Sequence, residues 1–474
     1  MTLNAPTPEF LTALDEELPG VLGPLEPSYL EEPRGIFVGS GSALLRPRTV
    51  QDVSVILSRA NAARVGVVPY GGGTGLVGGQ VKQSDPPALI VSMERMSAIR
   101  EISAADHSMV AEAGTILADV HSAADAEGLL FPLSLASEGS CRIGGNLSTN
   151  AGGLNVLRWG SARDLCLGVE AVLADGTILR GLKSLRKDNT GYDLRHLLIG
   201  AEGTLGIITA AQLRLFARPE TVVTGLLQVT DPTAALTLLR RLQTIFQEGI
   251  SAFELISRTG IDFVAETMPD LALPPVGNGD WYVLVELGAG PGASLQERAE
   301  AALAETFEAG LVVDGSLAQN GPQRAAMWSM RESIPEANKR IGAIASHDIS
   351  VPVSRIPEFI DTAARLVAGW PEDFRINCFG HMGDGNLHYN IYPPKGAAKA
   401  DFGHLKSRIT RAIHDLADEF DGSISAEHGI GRLKRDDLVR YGDRGKLAAM
   451  RAIKSALDPN GILNPGAVID PGQN

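Results

Sequence analysis

Ten residues, Tyr70 to Gly79, hold six glycines and follow a short apolar stretch, Arg64 to Pro69. A run so poor in side chains adds nothing to a core, but it lets several backbone N–H groups close on one anion from different sides. The dinucleotide fingerprint Gly-x-Gly-x-x-Gly opening a helix does not describe it, because residues 80–87 are polar and proline-containing. A Walker loop is excluded as well, since no Gly-Lys-Ser/Thr follows. The run reads as a pyrophosphate cradle, against the alternative of a mobile glycine loop without a ligand.

Two more clusters share this texture. Glu138 to Gly153 is dense in Ser, Thr, Asn and Gly and reads as an ordered loop whose backbone faces a ligand. The third runs from Lys187-Asp188-Asn189-Thr190-Gly191-Tyr192-Asp193 into Gly200-Ala201-Glu202-Gly203-Thr204-Leu205-Gly206-Ile207-Ile208. Three such clusters spread over about 140 residues imply one large extended ligand of the dinucleotide kind.

At 474 residues the chain has room for two or three domains with sizeable cores, and 44% hydrophobic with 21% charged residues is an ordinary globular balance. A net charge of −14 argues against nucleic acid or an anionic membrane surface as partner. Three cysteines give neither a disulfide framework nor a thiolate metal spacing. The first residues lack the basic and apolar regions of a leader, and no apolar run is long enough to span a membrane, so a cytoplasmic protein is expected.

Along the chain, residues 9–20 pattern as a short helix, and Ala43 to Thr49 as a strand closing on a helix that Thr49 caps. Residues 88–92 and 108–114 read as strands and 115–127 as a helix. From about residue 220 the texture changes to long Leu/Ala helical patterns, 231–247 and 293–310, alternating with strands such as Trp281 to Leu287. Leu236, Leu238 and Leu239 belong to a core rather than to a cofactor. Trp328 to Pro335 reads as a helix running into a proline break, and residues 401–420 as a helix. Lys339 and Arg340 read as a solvated face, and Arg331 as the better anchor for a carboxylate.

One stretch carries chemistry of another kind. In Cys378 to Asn390 two histidines, His381 and His388, flank a Gly-Asp-Gly-Asn turn, and the following residues alternate so that His388 and Asn390 share a face. If the turn folds the chain back, the two imidazoles converge and suit a divalent metal. Glu427-His428, set among small residues, offers a further ligand beside a general base. Spacing alone leaves this open against two satisfied polar histidines.

Together these residues resemble the FAD-dependent D-2-hydroxyacid dehydrogenases of the vanillyl-alcohol-oxidase superfamily. That group includes D-2-hydroxyglutarate dehydrogenase, D-lactate dehydrogenase and the glycolate oxidase D subunit. The likeness runs from about residue 35 to 470, and Ser184 to Asp193 is nearest to the D-2-hydroxyglutarate member. It implies an α+β chain. After a segment 1–34 come a PCMH-type (vanillyl-alcohol-oxidase-like) FAD-binding domain over 35–219 and an α+β substrate or cap domain over 220–425. A C-terminal helical segment, 426–474, returns to the FAD domain.

The FAD contacts it implies are Pro69, Gly71, Gly72, Gly73, Thr74, Gly75, Leu76 and Gly78 in the first cluster. In the second they are Pro132, Gly139, Ser140, Gly144, Gly145, Asn150 and Gly152; in the third, Glu202, Gly203, Ile207 and Ile208, joined by Asn464. Thr74 stands where members with covalent flavin carry histidine, so non-covalent FAD is expected. Zinc or a similar ion falls to His381, His388 and Glu427, with His428, Asn390 and Arg331 as catalytic and substrate-binding groups.

Two substrate contacts of the group are missing: Pro335 replaces a threonine and Ser346 a lysine. Each loss weakens the grip on a second carboxylate by roughly 1.5–3 kcal/mol. The implied activity is FAD-dependent, metal-assisted oxidation of a D-2-hydroxy acid, D-2-hydroxyglutarate to 2-oxoglutarate first of all. Electrons would pass to an electron-transfer flavoprotein or a quinone, and a homodimer is the expected assembly. The rival readings are a D-lactate or broad D-2-hydroxyacid dehydrogenase, a glycolate oxidase subunit, and a non-catalytic flavoprotein subunit of a complex.

Overall fold

The computed structural model describes residues 2–470. By internal contacts the chain divides into two compact units. The first comprises Met1–Gly152, Gly160–Ala217 and Glu427–Asn474; the second comprises Gly153–Trp159 and Arg218–Ala426.

In the first unit, β1 (Leu22–Gly23), β2 (Gly41–Leu45), β3 (Val67–Tyr70) and β4 (Ala88–Ser92) form a sheet in the order β1-β2-β4-β3. β4 is buried throughout because it runs parallel to both β2 and β3, the environment that selects a continuous apolar strand. The helix Val50–Ala63 starts where the Thr49 hydroxyl accepts the Asp52 N–H and ends at Arg64 in the left-handed region. Its Val53, Ile56, Leu57 and Ala60 pack into a core with Leu45, Val67, Leu89 and the C-terminal Ile462 and Leu463. Each large side chain so buried stabilises by roughly 1.5–3 kcal/mol.

A second sheet of this unit is antiparallel, with β5 (Ile99–Ser103), β6 (Ser108–Glu112), β8 (Cys166–Val172), β9 (Ile178–Arg180) and β10 (Ile207–Arg214) in the order β5-β6-β10-β8-β9. β7 (Leu129–Leu130) pairs with β11 (Phe216–Ala217). The second glycine cluster departs from the loop expected of it, since Ile143–Ser148 is α-helical. Ile143, Gly144 and Leu147 are buried, and a Cβ on Gly144 would stand 2.7 Å from that of Ala113. This close packing outweighs the poor helix propensity of Gly, Asn and Ser.

The second unit is built on one antiparallel sheet of seven strands. They are β12 (Thr221–Val229), β13 (Ile250–Ser257), β14 (Trp281–Ala289), β15 (Val312–Leu317), β16 (Ala345–Ser350), β17 (Arg375–His381) and β18 (Asn386–Tyr392). Their order is β15-β12-β14-β13-β17-β18-β16. Alternate residues sort to opposite faces. Leu387, Tyr389 and Ile391 pack in a core with residues of the helices Pro232–Phe246, Leu295–Glu308, Ile356–Ala368 and Lys406–Glu419. Phe379 and Ile256 pack in another with residues of Arg258–Thr267 and Gly321–Ile341. On the face of Phe379 runs a set of polar residues, described below.

Gly321–Ile341 also corrects the expected proline break, because the helix continues through Pro335 for a full 21 residues. Asn320 caps it by accepting the Gln323 N–H, and buried Met327, Met330, Ile334 and Ala337 hold both halves in place. Proline removes one N–H on an exposed side, and burial on either side outweighs that loss. The helix expected over 401–420 is narrower, since Lys399–Leu405 is a 3-10 segment and the α-helix starts at Lys406. Among the described residues no helix is long and apolar enough to cross a membrane.

Candidate functional site

The β17–β18 hairpin sets Phe379 directly opposite His388, so His381 and His388 are diagonal neighbours on one face, their ring centroids 5.8 Å apart. Local chemistry closes the turn. The Asp384 carboxylate accepts the Asn386 N–H at 3.1 Å, while the Asn386 amide donates to Asp348 Oδ1 and Ile349 O. Burial pushes the Asp384 carboxyl up to about 6 against the opposing pull of His381 and the Asn386 N–H.

Register extends this face across the sheet. Asp348 pairs with His388, Ser346 and Asn377 flank Asn390, and Glu254 pairs with His381. Asn390 is buried, and its Oδ1 accepts the His347 N–H at 3.2 Å. Glu254, with no exposed surface, divides its two oxygens: Oε1 lies 2.7 Å from His381 Nδ1, and Oε2 accepts Arg331 Nε at 2.8 Å and Nη2 at 2.6 Å. Burial by itself would raise the Glu254 carboxyl, but His381 and Arg331 outweigh it and hold it at about 2. Arg331, expected to anchor a substrate, therefore already grips one carboxylate, and its guanidinium lies over the Phe379 ring at 5.0 Å. Pro335 and Ser346 are both exposed.

In the first unit, His428 Nε2 lies 4.0 Å from Glu427 Oε1. The turn that follows wraps a buried carboxylate, with Glu202 accepting Ile430 N–H at 2.7 Å and Gly431 N–H at 2.8 Å. Gly429 sits at φ +82°, and a Cβ there would come 2.8 Å from Glu202 Oε1, so the wrap requires glycine. Burial pushes Glu202 up, against the two N–H donors and the charges of Arg432 and Lys434.

The same unit brings the glycine clusters together. Gly72 lies against the second cluster so closely that a Cβ would be 2.2 Å from Ser140 O, and a Cβ on Gly203 would be 2.3 Å from the Pro69 ring. Arg432 donates to Gly78 O, Gly79 O, Asn464 Oδ1 and Pro465 O, and the Asn464 amide donates to Gly79 O and Glu202 O. Gly139 and Gly145 have nothing within 4 Å of where a side chain would project, so the backbone there is open to a ligand. That open cradle of backbone N–H groups fits FAD.

Other expected contacts do different work. The Asn150 side chain accepts from Ser161 Oγ and Arg163 N, Ile207 and Ile208 are buried in β10, and Gly75 O accepts from Gln80. Glu254 and Arg432 were not among the expected site residues. A lone carboxylate inside the apolar run Ala252-Phe253-Glu254-Leu255-Ile256 was the one available signal for the former.

The chain is similar to known flavoproteins over most of its length. Residues 218–468 match the family of FAD linked oxidases, C-terminal domain, and residues 41–181 match an FAD binding domain. The chain is 38% identical over 434 residues to the mitochondrial D-2-hydroxyglutarate dehydrogenase of Arabidopsis thaliana, covering 91% of this chain and 76% of that protein. It is 38% identical over 466 residues to that of Bos taurus, covering 96% and 82%. To the D-2-hydroxyglutarate dehydrogenase of Xanthomonas citri pv. viticola it is 38% identical over 433 residues, covering 90% and 89%. Among solved structures, p-cresol methylhydroxylase has a TM-score of 0.75 at 16% identity, covering 99% of this chain and 98% of that one. The 4-ethylphenol oxidase of Gulosibacter chungangensis has 0.73 at 17%, covering 98% of each. At such identities these two show the PCMH-type fold alone.

Proposed function

Because the chain belongs to the FAD-linked oxidase family, among its FAD-dependent D-2-hydroxyacid dehydrogenases that oxidise a CH–OH group, we propose that its reaction is D-2-hydroxyglutarate to 2-oxoglutarate, with a divalent cation held by His381, His388 and Glu427. The names of the plant, animal and bacterial relatives support the substrate. The β17–β18 hairpin carries the metal reading, since it turns two imidazoles onto one face, and Glu254 of β13 engages His381 at Nδ1, which assigns ligation to Nε2. Ala426 donates to Asp348 O, Asp348 stands opposite His388, and Glu427 is the next residue of the chain.

Bound FAD supplies a hydride acceptor, and a bound cation supplies Lewis-acid polarisation of the substrate hydroxyl. The chain's own groups do the rest. His428 accepts the hydroxyl proton on a ring nitrogen as general base. With its Oδ1 taken by His347 N–H, Asn390 has its amide Nδ2 to donate to the substrate carboxylate. Arg331 has two of its nitrogens on Glu254 and adds the N–H groups of the third. An electron-transfer flavoprotein or a quinone is the proposed acceptor.

A second reading, a D-lactate or broad D-2-hydroxyacid dehydrogenase, is favoured by Pro335 and Ser346, which place no cation where a distal carboxylate would need one. Anaerobic bleaching of the flavin in zinc-supplemented holoenzyme separates the two. Faster bleaching by D-2-hydroxyglutarate than by D-lactate, D-malate or glycolate is expected; preference for a monocarboxylate selects the second reading, and no bleaching by any of them overturns both. His428→Ala is expected to abolish bleaching while FAD stays bound.

A further inference from the structure

We propose that Glu254 is a positioning residue that sets the tautomer of His381 and the orientation of Arg331 at once, coupling the metal ligand to the carboxylate anchor. The inference rests on the reading of His381 as a ligand given above.

Every residue of β13, Ile250–Ser257, is buried, and a carboxylate with zero exposure persists in such a strand only when fully paired. Glu254 is paired on both oxygens, by two groups that come from elsewhere. Register sets His381 directly opposite on β17, and the helix Gly321–Ile341 brings Arg331 down on the same face. A carboxylate only accepts, so at 2.7 Å the Nδ1 of His381 carries the hydrogen and the Nε2 keeps its lone pair. Arg331 bonds the other oxygen through Nε and Nη2, and its plane is fixed a second time by the Phe379 ring. One side chain thus fixes which nitrogen of His381 carries the hydrogen and which edge of Arg331 is spent. Glu254 acts through these two groups.

The tautomer is read by 15N-histidine NMR of FAD-loaded, metal-free wild-type protein at pH 8, with the His381 signal assigned by its absence in His381→Asn. The Nδ1–H form is expected; a predominant Nε2–H form overturns the proposal without any variant of Glu254 having to fold. In Glu254→Gln, which keeps the size, zinc affinity measured by chelator competition is expected to fall about ten- to a hundredfold with FAD content unchanged. An affinity within about twofold of wild type in that folded variant overturns the role as well. Should wild-type protein bind no zinc, the metal reading above fails by itself, and the tautomer still decides for or against Glu254.

Discussion

The Glu202 carboxylate accepts the backbone N–H of Gly431 at 2.8 Å across 229 positions of sequence. With the Ile430 N–H at 2.7 Å, this fixes the turn that immediately follows Glu427 and His428. Glu202 thus serves its unit as a latch, whichever other contacts it makes. Glu202→Ala leaves one buried and one part-buried donor without an acceptor and is expected to cost about 1–3 kcal/mol in urea unfolding of the FAD-loaded protein. Glu202→Gln, whose amide oxygen still takes one of them, is expected to lose less. Amide exchange at Ile430 and Gly431 should rise in both, and wild-type protection in the alanine variant would contradict the latch.

Two glycines of the cradle predict opposite phenotypes. Gly72→Ala places a methyl 2.2 Å from Ser140 O and 3.0 Å from Cys141 Cα, so backbone must move on both sides. A loss of about 1–3 kcal/mol is expected in thermal melts of the apoprotein, together with loss of flavin. Gly145→Ala meets nothing within 4 Å and sits in the helix Ile143–Ser148, so the apoprotein should be unharmed or gain up to about 1 kcal/mol. If FAD approaches that open backbone, the ratio of flavin to protein absorbance drops in Gly145→Ala alone among stable variants. Full retention would move the cofactor away from Gly145.

What could be read from the sequence was what neighbours in sequence decide. The Thr49 cap, and the hairpin joining His381 to His388, follow from a capping hydroxyl, a Gly-Asp-Gly-Asn turn and a period of two, all within a few residues. Glu254 lay beyond reach because its partner His381 is 127 positions away and only strand order brings them together. Nothing local marked Arg432, because the four acceptors it meets lie at Gly78, Gly79, Asn464 and Pro465. Pro335 and Ile143–Ser148 misled in the same way, since local rules about proline and glycine yielded to tertiary packing.

The cysteines give a pH-dependent test of the core. Cys141, Cys166 and Cys378 are all buried, and burial pushes the Cys166 thiol from an ordinary 9.0 up to about 12. A thiol reagent at pH 8 is expected to find none of the three in native protein and all of them after unfolding. The sign of the linkage follows. Between pH 9.0 and about 12 the folded state holds a proton at Cys166 that the unfolded state has released. Its contribution to stability is therefore complete below 9.0 and declines as pH rises toward 12. Reaction of Cys166 in native protein at pH 8 would show that β8 opens on the time scale of the assay.

On the proposed function, substrate choice would turn on Pro335 and Ser346, two exposed positions of the second unit. Pro335 lies one helical turn beyond Arg331 and Ser346 is opposite Asn390, so both border groups assigned to the substrate carboxylate. Neither offers a cation. In Pro335→Thr/Ser346→Lys, a new hydroxyl and a new ammonium are expected to raise the kcat/KM ratio of D-2-hydroxyglutarate over D-lactate about tenfold or more, the equivalent of one charge-assisted hydrogen bond. Pro335→Thr alone also restores the N–H that closes a helical bond to Arg331 O, and should raise the melting temperature. The ratio and the melting temperature separate the two contributions. A double variant that melts higher with an unchanged ratio would mean that Lys339, Arg340 or another cation already holds the distal carboxylate, and that Pro335 and Ser346 lie outside its reach.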